Sequence, residues 1–159
     1  MPQDPNLRHA EGYFELGLYE EALEELALAD RRPENRLEVM ARSLEVHIAS
    51  EDWGAALPLS EALCELDPEA PAFCIHHAFV LRELGRVAEA RDTLLEGPEE
   101  LRNHTTYHYN LGCYEALLGN TGGALASVKE AIQRERKFLQ IAHEDTDLEA
   151  IRDLLPPLA

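Results

Sequence analysis

Basic residues are scarce. Fourteen Lys and Arg face 31 Asp and Glu in 159 residues, a formal charge of −17 at pH 7. Nucleic acids are held through Lys- and Arg-rich surface, so no nucleic-acid partner is expected. The same balance disfavours an anionic lipid surface and leaves a basic partner open. Cysteine is also scarce: Cys64, Cys74 and Cys113 form an odd count with no Cys-x-x-Cys spacing. That argues against a disulfide framework or a zinc site and for reduced thiols in a cytoplasmic protein. No apolar run approaches the roughly 18 residues that a transmembrane segment needs. The opening Met1-Pro2-Gln3-Asp4-Pro5 has neither a basic nor an apolar stretch, so no secretory signal is expected.

Catalytic and cofactor patterns are missing as well. Gly119-Asn120-Thr121-Gly122-Gly123 lacks the Lys-Ser/Thr of a phosphate loop. His104 and His108 share a helix face but lack the His-Glu-x-x-His pattern of a zinc site. Asp145-x-Asp147-x-Glu149 hints at calcium, yet Ala150 stands where a calcium loop needs glycine. The acidic pairs Glu20-Glu21, Glu24-Glu25 and Glu99-Glu100 read as solvated helix exterior, because acid–base catalysis needs a closed site that shifts pKa values. The chain reads as a non-enzyme with no metal and no cofactor.

What is present is a repeat. Hydrophobic residues make up 45% of the chain, enough for a folded core, and the length suggests one domain. Ala22, Ala56, Ala90 and Ala124 lie 34 residues apart, without a gap. Gly17, Glu51, Gly85 and Gly119 each precede that alanine by five residues, and Leu26, Ser60, Leu94 and Val128 each follow it by four. Within Tyr19–Ala29 the apolar positions Tyr19, Ala22, Leu23, Leu26 and Ala29 form one stripe of an amphipathic helix. Leu7, Ala10, Tyr13 and Phe14 do the same before Gly17. The glycines sit where a helix should end in a left-handed cap. Each copy is therefore a helix, a tight turn and a second helix, with a small alanine wherever the pair must approach closely.

The copies span 3–36, 37–70, 71–104 and 105–138, with a capping segment over 139–159. Asp4-Pro5 opens the first helix as N-cap and N1. Pro58, inside a helix, should bend it. Lys137–His143 reads as a further helix, and Thr146-x-x-Glu149 as a capping box for a last short helix over Asp147–Leu154. Open-ended repeats need such a cap for solubility.

The period and its glycine and alanine placement resemble the tetratricopeptide repeat, whose pattern runs Trp-x2-Leu-Gly-x2-Tyr, then Ala-x3-Phe, then Pro. Leu111-Gly112, Tyr13, Ala22-x3-Leu26, Ala78, Leu81 and Pro68 carry the resemblance. Asn6, Met40, Cys74 and His108 replace the early Trp. The resemblance implies an all-α fold, an α-solenoid of four such repeats. First helices of successive pairs should line a concave face that binds an extended peptide or a helix. Leu7, Glu11 and Phe14, then Arg42, Glu45 and Ile48, then His76, Phe79 and Arg82, and finally Tyr109, Asn110 and Cys113 should face inward. Phe14, Phe79 and Tyr109 would form an apolar anchor line, with Arg42 and Arg82 beside it for ligand carboxylates.

Family members that hold chaperone C-terminal carboxylates use Lys, Asn, Asn, Lys and Arg at fixed inward positions. Here those positions hold Leu7, Glu11, Arg42, Ala72 and His76, or, one repeat later, Ala41, Glu45, His76, Thr106 and Asn110. That clamp is not expected. The expected function is a non-catalytic adaptor or scaffold that binds another protein. A dedicated chaperone of the type III secretion kind, a cytoskeletal adaptor like the bacterial kinesin-light-chain-like repeat proteins, and homo-oligomeric assembly are the alternatives.

Overall fold

The computed structural model describes residues 4–158, and among these all regular structure is helical. Eight helices pair in sequence as hairpins: α1 (Pro5–Glu15) with α2 (Tyr19–Ala29), α3 (Arg36–Ala49) with α4 (Trp53–Leu66), α5 (Pro71–Glu83) with α6 (Val87–Glu96), and α7 (Thr105–Leu117) with α8 (Thr121–Arg134). A ninth helix, α9 (Lys137–Glu144), and a 3₁₀ segment, Thr146–Leu154, follow.

Each hairpin turn closes in the same way. Gly17, Glu51, Gly85 and Gly119 take left-handed backbone, with φ of 73°, 57°, 78° and 81°. The next N–H then reaches the carbonyl five residues back: Leu18 to Tyr13, Asp52 to His47, Arg86 to Leu81 and Asn120 to Glu115, at 2.8–2.9 Å. This is the Schellman closure, which satisfies carbonyls that a helix end would leave open.

The 34-residue alanines are all fully buried, as are Leu26, Ser60, Leu94 and Val128. Gly112 shows how tight a hairpin can be. A Cβ there would lie 2.5 Å from Val128 Cγ2 and 3.2 Å from the Ala124 carbonyl, so α7 and α8 touch through backbone. Asp4 caps α1 by accepting from the Asn6 N–H, and it also accepts from Asn35, which ties α1 to the start of α3.

The length suggests one domain, but the contacts divide the chain into two compact units, residues 1–66 and 67–159. Hairpins in tandem bury themselves against neighbours and not around one centre. In the first unit, Leu7, Ala10, Ala22, Leu26, Ala29, Val39 and Val46 form the core. In the second, α7 has more buried residues than any other helix, and Phe138, Leu139, Leu148 and Ile151 pack beyond it. No helix among the described residues is long and apolar enough to cross a membrane.

The expected C-terminal capping box is replaced by a different cap. The final segment is 3₁₀, not an ordinary short α-helix, and its N-cap is Asp145, whose side chain accepts from the Asp147 N–H. Thr146 is already its first residue, because Asp145 brings its carboxylate onto the free N–H one position sooner. Pro58 lies within a continuous α4.

Candidate functional site

The predicted inward residues gather in two recesses, one in each unit. In the first unit Glu11, Phe14, Arg42 and Glu45 line a recess of about 200 Å³, joined by Glu15. Helical spacing explains this: residues 11, 14 and 15 share one face of α1, and 42, 45 and 46 one face of α3. Phe14 is half-buried, packs on the unit's core and meets Tyr19 at a ring distance of 6.1 Å. Arg42 donates from Nε to Glu38 Oε1 at 3.0 Å and lies 3.9 Å from Glu11. Its charge is therefore shared among carboxylates of its own chain.

In the second unit Phe79, Arg82, Tyr109, Asn110 and Cys113 line another recess of about 200 Å³. Its remaining wall comes from Glu83, Tyr114, Asp145 and Asp147. Arg82 forks onto both oxygens of Asp147, with Nε donating at 2.8 Å, and donates from Nη1 to Glu83 at 3.0 Å. The Tyr109 hydroxyl donates to Asp145 Oδ2 at 2.7 Å, and its ring lies 4.8 Å from that of Phe138. Burial, reinforced by Asp145 and Asp147, pushes the Cys113 thiol well above its usual range. Burial also pushes up the Tyr109 phenol, with Cys113 and Asp145 adding to it.

Several inward expectations do not hold. Leu7 is buried in the core of the first unit, because its place on α1 faces α2 and not a ligand. Tyr109 and Cys113 are buried beneath the C-terminal segment, so Tyr109 is no exposed anchor. Ile48 and His76 are half-buried and line neither recess. Arg42 and Arg82 do not stand ready for ligand carboxylates, since the chain's own acids already engage them. Glu15, Glu83, Tyr114, Asp145 and Asp147 were not foreseen. Asp145-x-Asp147 was visible only as a broken calcium pattern, and its carboxylates serve a guanidinium and a phenol instead. Among the described residues no group of three His, Cys, Asp or Glu is placed to hold a metal. His108 meets the Arg102 carbonyl at 2.8 Å, while His104 occupies the N-cap position of α7 without a side-chain capping bond.

Residues 47–111 match the tetratricopeptide repeat family model. Over that stretch the chain is similar to tetratricopeptide repeats. No curated protein sequence matches it. Among solved structures, MamA 41-end from Desulfovibrio magneticus RS-1 is similar, with a TM-score of 0.78 at 15% identity over 93% of this chain and 84% of that one. A second MamA crystal structure gives 0.76 at 13% identity, over 94% and 83%. YrrB, a repeat protein of the same kind with an unusual peptide-binding site, gives 0.71 at 22% identity, over 86% and 71%. At such identities the likeness is one of fold. It accounts for the repeated turns and buried alanines and leaves the chemistry of the recesses to this chain's own residues.

Proposed function

We propose that the chain is a non-catalytic interaction module whose recesses hold a basic peptide or helix of another protein. One observation carries this reading: the arginines of both recesses are engaged internally, and the carboxylates outnumber them. Around Arg42 stand Glu11, Glu15, Glu38 and Glu45. Around Arg82 stand Glu83, Asp145 and Asp147. An incoming carboxylate would meet like charge, whereas Lys or Arg side chains would meet complementary potential beside Phe14 and Phe79. The peptide-binding site that YrrB is described as having fits the same use of this fold.

Fluorescence polarisation tests this with two labelled peptides of equal length, one Lys/Arg-rich and one Asp/Glu-rich. The basic peptide should bind, and raising the salt should weaken it through screening. Replacing Glu11 and Glu45 together by Gln should weaken it about tenfold, equivalent to about 1.4 kcal/mol. Preference for the acidic peptide, or indifference to both charge substitutions, would defeat the reading.

A further inference from the structure

The recess of the second unit holds one buried polar atom that its neighbours leave unanswered. Tyr114 is only 2% exposed, and its hydroxyl has no hydrogen-bond partner among the described residues. Leaving such a group unpaired is costly, because it has given up water without a replacement. Groups beside it are satisfied: Tyr109 by Asp145, and Arg82 by Asp147 and Glu83.

The charge around that hydroxyl has a clear sign. Glu83, Asp145 and Asp147 line the recess with Arg82 as its sole guanidinium. Burial first, then Cys113, with smaller contributions from Asp147 and Glu83 and against the opposing charge of Arg82, raises the Tyr114 phenol and keeps it neutral. A neutral hydroxyl in a negative field is an acceptor for a cation's N–H. An anion here would face three carboxylates.

The acceptor positions also distinguish between cations. A guanidinium binds best as a fork to a carboxylate with both oxygens available. Asp147 gives both of its oxygens to Arg82. Asp145 gives one to the Asp147 N–H and the other to Tyr109. Glu83 gives Oε1 to Arg82. What remains is a set of single acceptors on separate groups, which suits a compact ammonium with three donors better than a planar fork. The volume of about 200 Å³ is below the roughly 300–1,000 Å³ of small-molecule sites, so it suits one side chain.

We infer that this recess receives the ε-ammonium of a lysine, with the Tyr114 hydroxyl and Glu83 as acceptors. The inference rests on the basic-peptide reading and names the residue type that the second unit selects.

The test is an NMR titration of the full chain with n-butylammonium chloride and, separately, N-butylguanidinium chloride at matched ionic strength, following the backbone amides of residues 110–114. Butylammonium should shift these signals saturably and at least fivefold more tightly than butylguanidinium. Tyr114→Phe removes only the unpaired oxygen, so it should keep or raise the melting temperature while weakening butylammonium at least fivefold. Glu83→Gln gives the same weakening by an independent route should Tyr114→Phe fail to fold. No saturable shift, equal or tighter butylguanidinium, or an unchanged Tyr114→Phe overturns the inference and leaves the hydroxyl to water. The basic peptide separates the two ideas. If it binds wild type and Tyr114→Phe alike, the lysine recess fails and the interaction module stands. If it fails to bind wild type, the module fails, whatever butylammonium does.

Discussion

Glu51 holds the left-handed backbone that Gly17, Gly85 and Gly119 hold at the equivalent turns. For an L-residue with a Cβ this conformation costs roughly 1–2 kcal/mol. Glu51→Gly should therefore stabilise the chain by about 1 kcal/mol, after part of the gain is lost to the greater freedom of glycine in the unfolded state. Urea denaturation checks it, and a loss of stability would mean that the Glu51 side chain holds the turn. This position is legible in the sequence, because the 34-residue register sets Glu51 beside three glycines. The direction of Tyr109 was not. Its place on α7 looked inward, and nothing in the repeat announces that Asp145 and Phe138 cover it.

Helix pairs set the next level. Small residues were expected where helices approach, and Ala22, Ala56, Ala90 and Ala124 are all fully buried. Gly112 makes the tightest case, since an added Cβ would run into the Val128 side chain and into α8 backbone. Gly112→Ala should cost about 1–3 kcal/mol as an overpacked contact. Gly12→Ala, in open space on α1, should instead gain about 0.5–1 kcal/mol from helix propensity. Opposite signs in paired denaturation curves would support the contact, and equal gains would refute it. The repeated hairpins could be read from periodicity because a buried stripe recurs at helical spacing. The C-terminal segment could be read only as a cap. Its 3₁₀ geometry has no 3.6-residue stripe, so the sequence pattern did not say which of its side chains enter the recess.

For the molecule as a whole, charge dominates. Residues 1–66 carry fifteen acids against five arginines, and residues 67–159 sixteen acids against nine basic residues. Self-repulsion of this size opposes folding, and salt screens it over about 10 Å at 0.1 M. Raising NaCl from about 20 to about 300 mM should therefore raise the melting temperature measured by circular dichroism, even though surface ion pairs such as Arg86–Glu89 and Arg134–Glu130 weaken. A falling melting temperature would show that those pairs outweigh the net charge. Composition alone made the acidic character plain. That the recess arginines are already engaged needed the fold, since Arg82 and Asp147 are 65 residues apart.

The placement of Asp145 and Asp147 also bears on how relatives of this chain should be compared. Two of the carboxylates that set the sign of the second recess lie outside the four repeats, in the segment that closes the last one. A chain with the same hairpins and a neutral segment there would leave Arg82 with Glu83 alone and the Tyr109 hydroxyl without its acceptor, so the recess would lose its net negative charge. The charge of this recess can therefore change while the repeats stay unchanged, and alignments confined to the repeats would miss it.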